Sequence, residues 1–298
     1  MDDLGIFYEE ASKVLIFLFN KVVNICEHFI HVLGLHEHFH SAAKSLHHYP
    51  TTTLLIVSHF LISILKIRSS QGCNFARSNP FASVLSSVLL CFAGSTLQSL
   101  LLGMPLVKPY ENTHLIVVLI LIWYLMYFCP MDLFARLIAF LPVRVGLTAL
   151  KEVYRTKCIL AGLQLAYSQY PNAWFIIVVS GSIRGCAGLV LKPFIHQIVG
   201  LGTSHVEFHR PTFTTKMSIL ISWIFAMQVK GVLDTNLSSL SLVFTVFMIL
   251  FQLLLMFTDI TNPFRKMEDF LAAIFLPNRR HQAETLTPSN KEKKTKSD

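Results

Sequence analysis

Long apolar stretches recur along the chain, each close to the length of a membrane-crossing helix, and charge collects in the short segments between them. A helix needs about 20 mostly apolar residues to cross the hydrocarbon. Windows of that kind fall at 49–67, 80–103, 114–134, 144–167, 172–192, 216–233 and 238–260, which predicts seven spans. The third is the clearest, with His114–Tyr127 almost unbroken, and the first needs Tyr49–Thr53 to reach full length. Pro130, Pro142, Pro171 and Pro193 lie at or near span ends, where proline normally stops a helix. Val14–Leu35 is apolar too, but Lys21, Asn24, Glu27, His28 and His31 interrupt it. Val14, Phe17, Leu18, Lys21, Val22 and Ile25 share a mostly apolar helical face. The segment reads as an amphipathic helix lying on the membrane, with an eighth span as the alternative.

Composition agrees. Of 298 residues, 53% are hydrophobic and 14% charged, with a mean hydropathy of +0.55 and 24 phenylalanines. A soluble domain carries about 25% charged residues. The chain is expected to be an all-α integral membrane protein, which excludes a soluble enzyme, a wholly disordered chain and a disulfide scaffold. The six cysteines have no paired spacing, and several sit in apolar runs where a thiol behaves as a small hydrophobe. Neither a disulfide framework nor a zinc site is expected. Met1-Asp2-Asp3 lacks the basic start of a secretory signal.

The formal charge of +8 bears on orientation and lipid contact rather than on nucleic acid. Lys66, Arg68 and Arg77, then Arg136, Arg144, Lys151, Arg155 and Lys157, then Lys192, Arg210 and Lys216 fall on one side of the seven-span arrangement. The other side has Lys13, Lys21 and Lys44, then Lys108 and Lys230. By the positive-inside rule the first group is cytosolic, the N-terminus luminal and the C-terminus cytosolic. The expected domains are a luminal amphipathic segment (1–48), a seven-helix region (49–262) and a basic cytosolic tail (263–298), disordered toward its end. The tail closes on Lys294-Thr295-Lys296-Ser297-Asp298, which has the form of a dilysine retrieval signal for the endoplasmic reticulum but also that of a solvating lysine run.

The second and fifth windows resemble each other. Gly94 and Ser95 interrupt the second, and Gly181, Gly185 and Gly188 the fifth. They stand three spans apart, so the expected architecture is two inverted three-helix repeats plus a seventh helix. Glycine-broken helices at matching places in inverted halves point to a permeation site, while glycines alone could simply let helices pack closely. Arg184, mid-window, favours the permeation reading. A cation there costs about 2.5–3.5 kcal/mol unless it meets a partner or water.

The densest charge is Lys151-Glu152-Val153-Tyr154-Arg155-Thr156-Lys157. The apolar run that follows, Cys158 to Tyr170, is only 13 residues or about 20 Å of helix, so Arg155 and Lys157 sit in or near the hydrocarbon. Lys151 and Arg155, one turn apart, suit an inositol phosphate headgroup; spacing alone does not choose between that and snorkelling. Histidines 28, 31, 36, 38, 40, 47 and 48 crowd the N-terminal region. They read most simply as part of a polar interfacial helix, with a luminal metal or pH sensor as the alternative. No hydrolase or metalloprotease motif and no pair of intramembrane carboxylates supports an enzyme. A secondary transporter is the nearer rival, but Asp132 is the lone acid near a span interior, thin support for the buried carboxylates through which such a protein couples.

These residues also carry a family resemblance. Trp123-Tyr124-Leu125 with Phe128 to Phe134, Leu141-Pro142-Val143, Lys151-Glu152-Val153-Tyr154-Arg155 and the glycine stretch around Arg184 resemble the trimeric intracellular cation (TRIC) channels, with the look of an invertebrate type-B member. Weaker echoes are Cys91-Phe92, Leu101 to Pro105 and Pro211 to Lys216, and the likeness runs from Leu54 to Phe275. It implies a homotrimer in the endoplasmic or sarcoplasmic reticulum membrane, with one pore per subunit passing potassium as counter-ion for calcium release. It implies no catalytic cofactor, but phosphatidylinositol 4,5-bisphosphate held by Lys151 and Arg155. Gly94, Ser95, Gly181, Gly185 and Gly188 would be pore or hinge positions and Arg184 the basic pore residue. Ala93-Gly94 is poorer in glycine than many members, and Ser99 stands where some carry an acid.

Overall fold

Between Thr53 and Phe257, nine α-helices and two 3-10 turns make up the regular structure of the described residues in a computed structural model. Those residues are 21, 41–46, 53–198, 211–233 and 235–258. The expected amphipathic segment (Lys21 apart), the histidine-rich run except 41–46, and the basic tail lie outside them.

The helices are Thr53–Gln71 (α1), Cys73–Ser78 (α2), Pro80–Leu101 (α3), Thr113–Phe128 (α4), Leu133–Ala139 (α5), Leu141–Gln169 (α6), Trp174–Ile198 (α7), Phe213–Val229 (α8) and Leu237–Phe257 (α9). Gly72, at a φ of 80°, turns the chain between α1 and α2. Pro80 and Pro142 sit in the first turns of α3 and α6, where a missing N–H costs nothing, so Pro142 starts a helix rather than stopping one. Pro193 lies inside α7, which continues to Ile198, beyond the expected end at 192.

The third window does not remain one helix. Pro130 pushes Cys129 into extended backbone (φ −60°, ψ 131°), and Met131 and Asp132 follow at a φ of 56°. The chain therefore bends by 99° between α4 and the helix that ends at Ala139. The bend is clamped electrostatically. Asp132 pairs with Arg68 of α1 at 3.0 Å and with Arg77 of α2 at 3.8 Å. Arg68 also donates to the Met126 carbonyl, and Arg77 to that of Tyr127 at 3.4 Å.

Four helices, α1, α3, α7 and α9, are long and apolar enough to cross a membrane, or five spans if the bent pair counts as one. The 17-residue α8 is short for a crossing, and the 29-residue α6 carries Lys151, Glu152, Arg155 and Lys157 mid-length. By length and composition, then, fewer helices qualify than the seven expected.

Helix α7 is packed among α3, α6 and α8, while α1 and α9 flank α6. Phe60, Ile64, Leu119, Trp123, Met126 and Tyr127 centre the apolar cluster that joins α1 to α4. Around α7 the contacts are small and polar instead. Ser180, Ser218 and Ser222 are wholly buried, and Ser222 donates across to the Val178 carbonyl at 2.7 Å. Small residues let helices approach closely where lipid gives no hydrophobic drive for association.

Candidate functional site: a basic cavity between α3, α6 and α7

Helices α3 and α7 touch backbone to backbone at their glycines. A side chain at Gly94 would place its Cβ 3.0 Å from the Arg184 carbonyl oxygen, and one at Gly188 would stand 3.2 Å from that of Leu90. Gly162 of α6 clears the way for the Arg184 side chain, since a Cβ there would collide with the arginine Cγ. Arg184 passes through this gap and donates from Nη1 to Ser95 Oγ at 2.6 Å. Its Nε is buried with no hydrogen-bond acceptor. Above the crossing, Gln98 Nε2 donates to the Gly162 carbonyl and to Ser180 Oγ, both at 2.8 Å, and Ser180 donates to the same carbonyl at 2.9 Å. Three helices thus share one polar knot.

Beside this crossing lies a cavity of about 270 Å³. Lys66, Lys151, Arg155, Arg184 and Lys192 line it, and among the described residues no carboxylate does. Gly94, Ser95, Gly185 and Gly188 border it as well. Gly181 does not: it seats against Ser222 of α8 and the Ile159 carbonyl of α6, where a Cβ would strike the serine hydroxyl. Lys151, Arg155 and the mid-window Arg184, separate features in the sequence, open on the same space.

Each cation has a defined setting. Lys151, 7% exposed, donates to Ser63 Oγ of α1 at 3.0 Å. Arg155 pairs with Glu152, one turn back on α6, at 2.5 Å. Glu152 is 1% exposed and stands behind the cavity wall rather than in it. A buried carboxylate in that place holds the guanidinium in one orientation while adding no negative charge of its own to the cavity lining. Lys157 turns away and donates to the Leu46 carbonyl at 2.6 Å. His59 sits in the wall with Nε2 3.2 Å from the Cys91 carbonyl oxygen and its ring 5.0 Å from that of Tyr154.

Ser63, His59, Gly162 and Glu152 escape sequence reasoning. Glu152 alone left a trace, as the one acid in a cationic run. Gly162 gave none, because a single glycine in an apolar helix does not reveal which side chain it admits. No group of histidine, cysteine and acidic residues among the described residues is arranged to hold a metal ion.

A converging basic cavity at the crossing of glycine-bearing helices, in a bundle with several membrane-length helices, defines a membrane protein of the permeation class rather than an enzyme. The chain belongs to the TRIC channel family, whose model matches residues 69–259. It is 31% identical over 235 residues to trimeric intracellular cation channel type A of Homo sapiens, covering 78% of this chain and 79% of that one. It is 33% identical over 230 residues to the type B channel of Xenopus tropicalis (76% and 81%), and 30% over 240 residues to type 1B.1 of Caenorhabditis elegans (79% and 81%). Among solved structures, it matches one of TRIC counter-ion channels in calcium release with a TM-score of 0.71 at 29% identity, covering 74% of this chain and 99% of that one. A C. elegans trimeric intracellular cation channel in the absence of Ca2+ matches with a TM-score of 0.69 at 30% identity, covering 74% and 96%.

Proposed function

We propose that the chain forms a potassium-conducting channel of the endoplasmic or sarcoplasmic reticulum, and that its current balances charge during calcium release. The functional unit is a homotrimer with one pore in each subunit. Seven spans, α1, α3, α4 with α5, α6, α7, α8 and α9, form two inverted three-helix repeats and an appended seventh. The N-terminus is luminal and the C-terminus cytosolic. The channel region is 49–262, between an interfacial segment at 1–48 and a basic tail at 263–298. Relatives named trimeric intracellular cation channels, and a neighbour described as a counter-ion channel in calcium release, support the reading.

The observation that carries it is the cavity at the α3–α7 crossing, where Ser95 and Arg184 meet. Potassium crossing here needs oxygens in place of its water, and serine hydroxyls with freed helix carbonyls supply them. Pro193 has no N–H for the Leu189 carbonyl, and Leu189 borders the cavity. The five cations oppose a cation current unless something anionic covers them. A phosphatidylinositol 4,5-bisphosphate headgroup on Lys151 and Arg155 does so, and leaves Arg184 as the barrier within the path. A transporter would need a titratable carboxylate in the cavity, and Glu152 is tied to Arg155 behind the wall.

Reconstitution of the purified chain in planar bilayers with asymmetric potassium and chloride tests the proposal. It predicts unitary current steps that reverse near the potassium equilibrium potential. Reversal near that of chloride, or flux without unitary steps, would overturn it.

A further inference from the structure

A second cavity, of about 550 Å³, lies at the end of the bundle where α1 and α9 finish and α5 gives way to α6. Its polar wall is Lys66, Arg68, Ser69, Arg144, Thr148 and Gln252, with Leu255 and Met256 beside them. Arg68 is already committed to Asp132 and to the Met126 carbonyl. The side chains of Lys66 and Arg144 make no ion pair or hydrogen bond among the described residues. Gln252 Oε1 is buried without a donor. Two uncommitted cations on facing helices call for an anion, and the orphaned acceptor calls for an N–H or O–H beside it. Phosphate supplies the charge, and a hydroxyl on the group that bears it supplies the donor. Charge-assisted bonds from lysine and arginine to phosphate are among the stronger contacts a protein makes.

We propose that this cavity binds a phosphorylated polyol, with Lys66 and Arg144 on its phosphate and Gln252 Oε1 accepting from a hydroxyl. The site is distinct from the Lys151–Arg155 pair. Arg144 precedes Lys151 by two helical turns, about 10 Å along α6, and does not border the first cavity. Lys66 borders both cavities, so an anion held here also offsets part of the positive charge facing the conduction path. The inference does not depend on what the first cavity conducts.

The ligand chemistry has two sources, a membrane lipid headgroup or a soluble polyol phosphate, and two probes separate them. The full chain is placed in phosphatidylcholine nanodiscs, with either phosphatidylinositol 4-phosphate in the bilayer or inositol 1,4,5-trisphosphate in solution, and bound molecules per subunit are counted by native mass spectrometry. Arg144→Gln is the diagnostic variant, because Arg144 is exposed at the start of α6 and its loss leaves the core intact. It should weaken binding of one molecule per subunit roughly tenfold or more, whereas Lys151→Ala with Arg155→Ala should spare that molecule. Loss in the lipid arm alone assigns a membrane headgroup, and loss in the soluble arm assigns the phosphate chemistry itself. If Arg144→Gln and Gln252→Leu both bind each probe as the unaltered chain does, the proposal is wrong. If no molecule resists removal of Lys151 and Arg155, it is equally wrong. Should the first cavity bind no lipid at all, a single molecule sensitive to Arg144→Gln still supports the second.

Discussion

Gly162 is what lets Arg184 lie where it does. With alanine at 162 the new Cβ meets the arginine Cγ and comes within 3.2 Å of the Ser180 carbonyl oxygen, so one of the two must move. Overpacking of this kind costs about 1–3 kcal/mol. Gly162→Ala should lower the thermal midpoint of the purified protein, and Arg184→Ala should relieve most of the loss by removing the Cγ. An equal loss in both backgrounds would assign the strain to the α6–α7 backbone contact instead. In the proposed pore Arg184 also carries its charge within the membrane field, where a full crossing is worth about 2.3 kcal/mol per 100 mV. Arg184→Gln should therefore change unitary conductance or the voltage dependence of opening; recordings matching the unaltered channel in both would remove the arginine from the path. At this scale the sequence disclosed Arg184, Lys151 and Arg155 by their charge in apolar surroundings. It could not disclose Ser63 or Gly162, whose roles exist only across a helix crossing.

The α4–α5 bend is set by Pro130 but kept by Asp132. Two left-handed residues that are not glycine, Met131 and Asp132, are unfavourable by themselves. The ion pairs to Arg68 and Arg77 offset that cost and tie the bend to α1 and α2. Partly exposed pairs are each worth up to about 1 kcal/mol, so Asp132→Ala should destabilise the protein by about 1–2 kcal/mol, read as a lowered thermal midpoint. An unchanged midpoint would mean that Pro130 alone holds the turn. Helix positions were legible because apolar windows and prolines mark them. Whether Pro193 ends α7 was not, since a proline inside a helix gives up one hydrogen bond and neighbouring helices can hold it in place. The bend was missed because Pro130 lies four residues before the expected span end at 134, where it reads as a stop rather than as a corner from which a further helix continues.

For the whole molecule, the helix class and the pairing of the second and fifth windows were legible from composition and glycine placement. The merging of the Lys151–Arg155 pair and Arg184 into one cavity depended on how α6 packs against α7, which no linear pattern contains. The proposed orientation rests on lysine and arginine asymmetry, and it predicts that a glycosylation acceptor placed in the 104–113 loop is modified and one in the 193–215 segment is not. The reverse pattern would invert the channel in the membrane. The central claim is that ions pass through the cavity at the α3–α7 crossing. Ser95, half-buried there and hydrogen-bonded to Arg184, is the position that tests it most directly. In a background with the six native cysteines replaced, Ser95→Cys channels in a bilayer are exposed to a cationic methanethiosulfonate reagent, and modification is verified by mass spectrometry. The account predicts an irreversible fall in unitary current as each cysteine acquires its bulky charge, whereas unaltered current through fully modified channels would place the conduction path elsewhere.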